Sequence, residues 1–163
     1  MKVSDLIIRE ATAEDAKLIL DFITELAIYE KAEHKVVASV DNIRASLFSE
    51  ESTANALICL QGDKPIGYAV YFFNYSTWLG KNGLYLEDLY ITPECRGGGA
   101  GKFLLKHLAN IAVANNCGRF EWSVLDWNEP AIKFYESIGA EAQDEWVIYR
   151  LTGDKLIDFA NSQ

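Results

Sequence analysis

The sequence is poor in residues that form disulfide cross-links or bind metal. Its three cysteines, Cys59, Cys95 and Cys117, form no C-x-x-C pair, and an odd number cannot complete a disulfide framework. His34 and His107 lack the spacing of metal ligands. The counts argue against a disulfide scaffold and a zinc knuckle, so we expect reduced thiols, no bound metal and a cytoplasmic location.

The sequence also lacks the segments that target, anchor or divide a chain. Residues 1–5 contain no apolar stretch of the kind found in signal peptides, so we expect none. The most apolar run, residues 68–73, is far too short to span a bilayer, and no membrane partner is expected. No repeat, low-complexity tract or Pro/Gly/Ser-rich linker interrupts the sequence, which predicts one domain over residues 1–163.

Positive charge is the other deficit. Lys and Arg total 15 against 24 Asp and Glu, which gives a formal net charge of -9. A negative field repels phosphate backbones, so nucleic acid is not an expected partner. The same field attracts cationic amines, although acidity is also an ordinary feature of soluble proteins. Because 50% of the residues are hydrophobic, the chain can bury a core without disulfides or a structural metal.

Hydrophobic spacing and turn signals predict the element order β-α-α-β-β-β-α-β-α-β. Turns are expected at residues 62–65 and 80–83, and Gly118 is the expected C-cap of the third helix. Adjacent strands predict a largely antiparallel sheet, with a parallel part over residues 84–125. The predicted strands are residues 6–8, 55–60, 66–73, 84–91, 120–125 and 146–151, the last in a hairpin with residues near Ala142. Four helices are predicted. The first is opened by a Thr12–Asp15 capping box and carries Leu18, Phe22, Leu26 and Tyr29 on its apolar face, and the second covers residues 40–48. The third follows a glycine-rich loop and buries Leu104, Leu108, Ile111 and Ala112, and the fourth covers residues 128–137.

The strongest local signal is the loop Arg96-Gly97-Gly98-Gly99-Ala100-Gly101 between a predicted strand and a helix. Glycines let successive amides turn toward one anion, and the helix N-terminus adds its positive dipole end. Arg96 and Lys102 add positive charge beside it. The spacing fits neither the P-loop nor the Rossmann fingerprint, which leaves a pyrophosphate cradle, a nucleotide site or a flexible turn as readings.

Arg96-Gly97-x-Gly99-x-Gly101 after a strand ended by Pro93 is similar to the acetyl-CoA signature of the GNAT N-acetyltransferases, whose element order also fits. Residues 25–30, 84–89 and 127–135 resemble the diamine (spermidine/spermine) N-acetyltransferases. The polyamine enzymes carry an acidic residue shortly before the tryptophan that corresponds to Trp78, where this chain has Ser76. Residues 75–78 and 124–128 are more similar to the thialysine branch of that family.

The resemblance implies an α/β fold with a mostly antiparallel central sheet and helices on both faces. It implies acetyl-CoA as co-substrate, a homodimer, and direct attack of a primary amine in a ternary complex. The implied acceptor is a small diamine, polyamine or lysine analogue such as thialysine. Two alternatives stay open, namely a protein or peptide amine as acceptor and a non-catalytic acetyl-CoA-binding module.

Site roles carried over from the family fall into three groups. Glu87 draws the proton from the amine through ordered water, and Tyr135 is the general acid for the departing thiolate. The expected coenzyme contacts are Leu89, Tyr90, Ile91, Arg96, Gly97, Gly98, Gly99, Ala100, Gly101, Lys102, Asn128, Pro130, Ala131 and Tyr135. The expected amine pocket comprises Tyr29, Glu30, Trp78, Glu87, Glu121, Trp122 and Ser123. For Asn128 a side-chain helix cap is expected as well.

Overall fold

The structure is a computed structural model that describes residues 5–163. Its contacts divide the chain into two compact units, the first ending at Leu125 and the second comprising Asp126–Gln163. The single domain expected over residues 1–163 stays a prediction. Among residues 5–163, no helix is both long enough and apolar enough to cross a membrane.

The first unit is built on a five-stranded sheet whose spatial order follows the chain. The first four strands pair antiparallel, and the fifth pairs parallel with the fourth. This confirms the predicted mixed sheet, in which the parallel step comes after the glycine-rich loop and its helix. The strands are β1 (Leu6–Glu10), β2 (Ala54–Gln61), β3 (Lys64–Ser76), β4 (Lys81–Ile91) and β5 (Phe120–Trp122).

Three α-helices accompany this sheet, and the predicted capping box opens the first of them. The Thr12 amide donates to the Asp15 carboxylate at 2.8 Å, and Arg9 donates two further hydrogen bonds to it at 2.7 and 2.8 Å. The Arg9 hydrogen bond is the main reason that the pKa of Asp15 is lowered. These contacts tie the helix start to β1. The helices are α1 (Ala16–Tyr29, after a 3₁₀ turn at Ala13–Asp15), α2 (Val40–Leu47) and α3 (Ala100–Ala114).

The core on the α1 side of the sheet centres on aromatic packing. The Phe22 ring stacks on Tyr68 with centroids 5.6 Å apart and lies 5.9 Å from Tyr90. Ile19, which the predicted apolar face omitted, is fully buried, whereas Tyr29 is 41% exposed. The buried stripe is therefore rotated by a fraction of a turn from the predicted one, and this leaves Tyr29 at the edge of the core.

The α3 helix covers the other face of the sheet. It buries Leu104, Leu108 and Ala112 as predicted, while Ile111 is only half-buried. Residues 57 and 58 are adjacent on β2 and so point to opposite faces. Ile58 packs in the α1 core, and Leu57 lies on the α3 side. The sheet thus has helices on both faces, as the fold class predicts.

A predicted turn and a predicted helix C-cap in the first unit are wrong. The turn expected at residues 80–83 lies at residues 77–80, and β4 begins at Lys81. Gly118 is not the C-cap of α3, because Asn115 occupies that position and Asn116 adopts the left-handed conformation at φ 54°. Asparagine tolerates that conformation. The Gly118 amide donates instead to the Asn82 carbonyl at 2.8 Å, which links the chain back to β4.

The fifth strand is shorter than the predicted residues 120–125. It pairs with β4 only from Leu84–Phe120 to Leu86–Trp122. The pairing stops where the β3–β4 register shifts by one residue, and such a bulge bends a strand and disrupts its ladder. Within the first unit, β4 therefore continues past the end of its pairing with β5.

The second unit contains α4 (Glu129–Ser137) and α5 (Gly153–Asn161). The strand predicted over residues 146–151, with its hairpin near Ala142, is wrong, since residues 126–163 as described contain no strand. The Trp146 amide donates to the Gln143 carbonyl at 3.2 Å and closes a turn there. Residues of high β-propensity form a strand only where a ladder partner is available. The sequence did not predict α5.

Candidate functional site

The glycine-rich loop lies between the end of β4 and the start of α3. A 3₁₀ turn at Pro93–Cys95 leads into Arg96, and α3 begins at Ala100. Gly97 and Gly99 have φ of +78° and +88°, a conformation that side chains with a Cβ rarely adopt. This is why the backbone can reverse here within a few residues.

The loop presents backbone donors to open space. The Phe103 amide makes a helical hydrogen bond to the Gly99 carbonyl at 2.9 Å, so the amides before it have no helical acceptor. No side chain caps the helix at Gly99. A Cβ placed on Gly97 or Gly101 would meet no heavy atom within 4 Å. The loop thus leaves backbone amides without helical acceptors at an uncapped helix N-terminus, which is the arrangement of an anion cradle.

Arg96, directly before this cradle, is held between two aromatic rings. Its guanidinium carbon lies 5.0 Å from the Tyr29 ring centroid and 5.3 Å from that of Tyr90. Its Nε donates to the Ile91 carbonyl at 2.8 Å. A cleft of about 460 Å³ lies around these groups, between α1 and the end of β4. Tyr29, which the sequence predicted for the amine pocket, is thus placed beside a predicted coenzyme residue.

A β-bulge at Glu87 reorganises the middle of β4. Val70 of β3 pairs with Asp88, and the next residue pairs with Leu86, so Glu87 is the additional residue of the bulge. Without a bulge, the register set by the β3–β4 turn would pair Val70 with Glu87, and Asp88 would point to the opposite face of the sheet. With the bulge, Val70 pairs with Asp88, so Asp88 lies on the face that carries Tyr68 and α1. No sequence signal marks this change of face.

Three carboxylates, those of Asp88, Glu30 and Glu87, lie near the buried Tyr68 hydroxyl at this bulge. The Tyr68 hydroxyl donates to Asp88 Oδ2 at 2.7 Å, and Tyr68 is 0% exposed. Burial raises the pKa of Asp88, although the Tyr68 hydrogen bond lowers it. Burial also raises the pKa of Glu30, and the Asp88 charge adds to that shift. Burial, and then the charges of Asp88, Glu30 and Glu87, raise the pKa of Tyr68.

Two of these residues were predicted from sequence and two were missed. Glu30 and Glu87 were expected in the amine pocket, and the structure places both within electrostatic range of Tyr68. Asp88 was noted only as part of the Leu86-Glu87-Asp88 match, and Tyr68 only within an apolar run. Their pairing depends on the bulge and on a register between distant residues, which the sequence does not encode locally.

Replacement of Asp88 by asparagine is expected to raise the melting temperature at neutral pH. The Tyr68 hydroxyl keeps an acceptor, while the folded protein no longer holds a charged carboxylate in a half-buried position. Since folding raises this pKa from its ordinary 3.8, the folded chain binds more protons than the unfolded chain. As pH rises from the unfolded-state pKa of Asp88 through its higher folded-state pKa, the wild type therefore loses stability, and the variant does not.

Thermal melts of both proteins between pH 4 and 8 check this expectation. The difference in melting temperature should be small at the acidic end, widen as pH rises, and then level off. A variant that melts below the wild type at pH 8 would show instead that the Asp88 charge stabilises the fold.

The remaining amine-pocket candidates of the first unit have other close neighbours. Glu121 pairs with Arg119 at 2.8 Å, and the Ser123 hydroxyl lies 2.7 Å from that of Tyr85. Trp122 makes an edge contact with Phe120 at 4.9 Å between centroids. Trp78 is 86% exposed in the β3–β4 turn, whose backbone lies roughly 20 Å along β4 from Glu87. Within residues 5–163, no group of three His, Cys, Asp or Glu side chains is arranged to hold a metal ion.

The second unit carries the predicted acid and three coenzyme candidates on one short helix. Asn128 is the N-cap of α4, and its carbonyl accepts from the Ile132 amide at 3.0 Å. Its side chain makes no capping hydrogen bond, so the predicted Asx cap is wrong. Pro130 lies in the first turn, and Ala131 and Tyr135 are one turn apart on the same face.

The chain is similar to known acetyltransferases over most of its length. A model of the acetyltransferase (GNAT) family matches residues 20–140. Mouse thialysine N-epsilon-acetyltransferase is 37% identical, over 94% of this chain and 96% of that protein. The L-ornithine N5-acetyltransferase of Arabidopsis thaliana is 31% identical, over 91% of this chain and 85% of that protein.

The fold has solved counterparts as well. A protein encoded by an integron cassette of V. cholerae superposes with a TM-score of 0.82 and 31% identity. The superposition covers 97% of this chain and 99% of the V. cholerae chain. A ribosomal-protein-alanine N-acetyltransferase from Brucella melitensis, at 22% identity and a TM-score of 0.71, shares the fold.

Proposed function

Because the chain belongs to the GNAT acetyltransferase family and is an N-acetyltransferase, we propose its acceptor, its site residues and its mechanism. The acceptor is the primary amine of a small diamine, polyamine or lysine analogue such as thialysine. The acetyl group passes from acetyl-CoA by direct attack of the amine in a ternary complex. The observation that carries this proposal is that one strand, β4, leads from a carboxylate cluster at its bulge to a glycine-rich loop and an uncapped helix N-terminus just beyond its end.

The cradle fits the anionic part of acetyl-CoA. The amides of residues 97–102 would bind the pyrophosphate, with Arg96 and Lys102 adding positive charge. The pantetheine arm would pair with the backbone of Leu89 and Ile91 as an added strand does. The end of the β4–β5 pairing at Leu86 supports this assignment, since the arm needs a strand edge that β5 does not occupy. Tyr90, Asn128, Pro130 and Ala131 complete the proposed coenzyme contacts.

The carboxylates fit a cationic acceptor. Glu30 and Glu87 would attract the ammonium groups, and Glu87 would take the proton of the attacking amine through water. An alkylammonium has a pKa of ~10, so at neutral pH it has to lose a proton before it can attack. Trp78, Glu121, Trp122 and Ser123 are proposed to line the rest of the pocket. Tyr135 would then protonate, or donate a hydrogen bond to, the departing thiolate.

A substrate panel tests this function. The purified full chain is assayed for thiol release from acetyl-CoA with thialysine, lysine, ornithine, putrescine, spermidine and a basic peptide. We expect the highest kcat/KM with a small amine, and with thialysine ahead of spermidine because Ser76 stands where the polyamine enzymes are acidic. Preference for the peptide would favour the protein-amine alternative. Acetyl-CoA binding without turnover on any amine would favour a binding module.

Calorimetry separates the coenzyme assignment from a nucleotide site. Acetyl-CoA and ATP both carry phosphates that a glycine-rich loop can bind. We expect clear heat of binding with acetyl-CoA and much weaker binding of ATP, which lacks the pantetheine arm. Tight binding of ATP alone would refute the proposal. The homodimer and the cytoplasmic location implied by the family resemblance stay predictions, and light scattering tests the first of them.

A further inference from the structure

The side chain of Arg96 is held by contacts within the protein itself. Tyr29 and Tyr90 lie 5.0 and 5.3 Å from its guanidinium carbon, and Ile91 accepts a hydrogen bond from its Nε at 2.8 Å. We propose that Tyr29 and Tyr90 are positioning residues, which hold the Arg96 guanidinium for the coenzyme phosphates. This inference rests on the proposed function and assigns Tyr29 to the coenzyme side of the site, away from the amine.

The chemistry of arginine makes this arrangement suited to a phosphate. A guanidinium is planar, so its faces can stack on aromatic rings while its edges donate hydrogen bonds. Nε accounts for one donor of Arg96, and the two terminal nitrogens carry the other four. In the part of the chain that the structure describes, Arg96 has no carboxylate within ion-pair distance. The terminal edge thus stays available to an oxyanion next to the cradle.

Both rings are themselves held in place by α1. Tyr90 is 4% exposed, and its hydroxyl donates to Glu25 Oε2 at 2.7 Å. Glu25 and Tyr29 are one helical turn apart on α1 and so lie on the same side of the helix. The last turn of α1 therefore fixes one ring directly and the other through a hydrogen bond.

The strand end that bears Tyr90 is also fixed. The Tyr90 carbonyl lies where a Cβ on Gly67 would be, so β3 and β4 approach closely only because residue 67 is glycine. The Thr92 amide donates to the Ile66 carbonyl at 2.8 Å. An arginine that is immobilised in advance loses less conformational freedom when it binds an anion. The two tyrosines should therefore raise coenzyme affinity without contacting the coenzyme's reacting atoms.

The test compares Tyr29→Leu and Tyr29→Phe with two acetyl donors. Acetyl-CoA carries the phosphates, whereas S-acetylpantetheine is neutral and has nothing for Arg96 to bind. We expect Tyr29→Leu to raise KM for acetyl-CoA about three- to tenfold, with KM for S-acetylpantetheine and kcat unchanged. Tyr29→Phe retains the ring and should retain most of the affinity. Calorimetry with CoA, which needs no turnover, should show the same ranking.

A double-mutant cycle shows whether Tyr29 acts through Arg96. In the Arg96→Ala background, Tyr29→Leu should weaken CoA binding no further, because the side chain it positions is gone. An undiminished effect in that background would overturn the inference. So would a Tyr29→Leu protein in which KM rises for the amine and not for acetyl-CoA. Failure of the wild-type protein to bind acetyl-CoA would instead refute the proposed function, and this inference with it.

Discussion

Tyr135→Phe is expected to lower kcat by about 100-fold or more while the protein stays folded. The change removes only the hydroxyl, which is the proposed proton donor to the departing thiolate. Tyr135 is half-buried on α4, and its ring, which lies 5.8 Å from that of Phe134, is retained by the substitution. Steady-state assays with acetyl-CoA and the best amine of the panel, together with a thermal melt, measure both effects.

An acetyl donor with a more acidic thiol makes this test specific. An aryl thiolate is a stable leaving group that needs no proton, so the deficit of Tyr135→Phe should shrink sharply with an aryl thioacetate. Tyr71→Phe is the matched control, because Tyr71 packs against Phe73 on the α3 side of the sheet and should lose no activity. Near-wild-type turnover of Tyr135→Phe with acetyl-CoA would remove Tyr135 from the acid role.

The second large effect is expected for Glu87→Gln. The substitution keeps the shape of the bulge residue but removes the charge that attracts the ammonium and accepts its proton. We expect kcat/KM for the amine to fall by about 100-fold at pH 7, with little change in KM for acetyl-CoA. The bulge itself depends on backbone register, so the fold should tolerate the change.

The pH profile of Glu87→Gln distinguishes a base from a packing residue. An amine whose own pKa is ~10 loses its proton unaided as pH rises toward that value, so the deficit should shrink at alkaline pH. Glu10→Gln is the control, since Glu10 is an exposed glutamate on β1, three strands away in the sheet. A deficit of the same size at all pH values would contradict the role of Glu87 in proton removal.

Local patterns in the sequence were enough to predict most of the architecture. Local sequence patterns correctly predict the first strand, four helices and the central antiparallel strands, because burial of one face imposes a period on apolar residues. They fail at residues 146–151, where β-propensity predicts a strand that the second unit as described does not contain. Propensity reports what a segment can form, while a ladder requires a neighbour at the right register.

The sequence by itself determined where a glycine-rich strand-to-helix loop lies, because the glycines and the helix start are local features of residues 96–102, and the structure gives Gly97 and Gly99 the positive φ that such a loop needs. It also determined the family, because the family's motifs can be recognised from their residues and spacing alone. Only the tertiary structure decided that a bulge turns Asp88 toward Tyr68 and that Tyr29 packs on Arg96. Those contacts join residues 20 to 67 positions apart, and their geometry is set by strand register and helix packing, which no local pattern specifies.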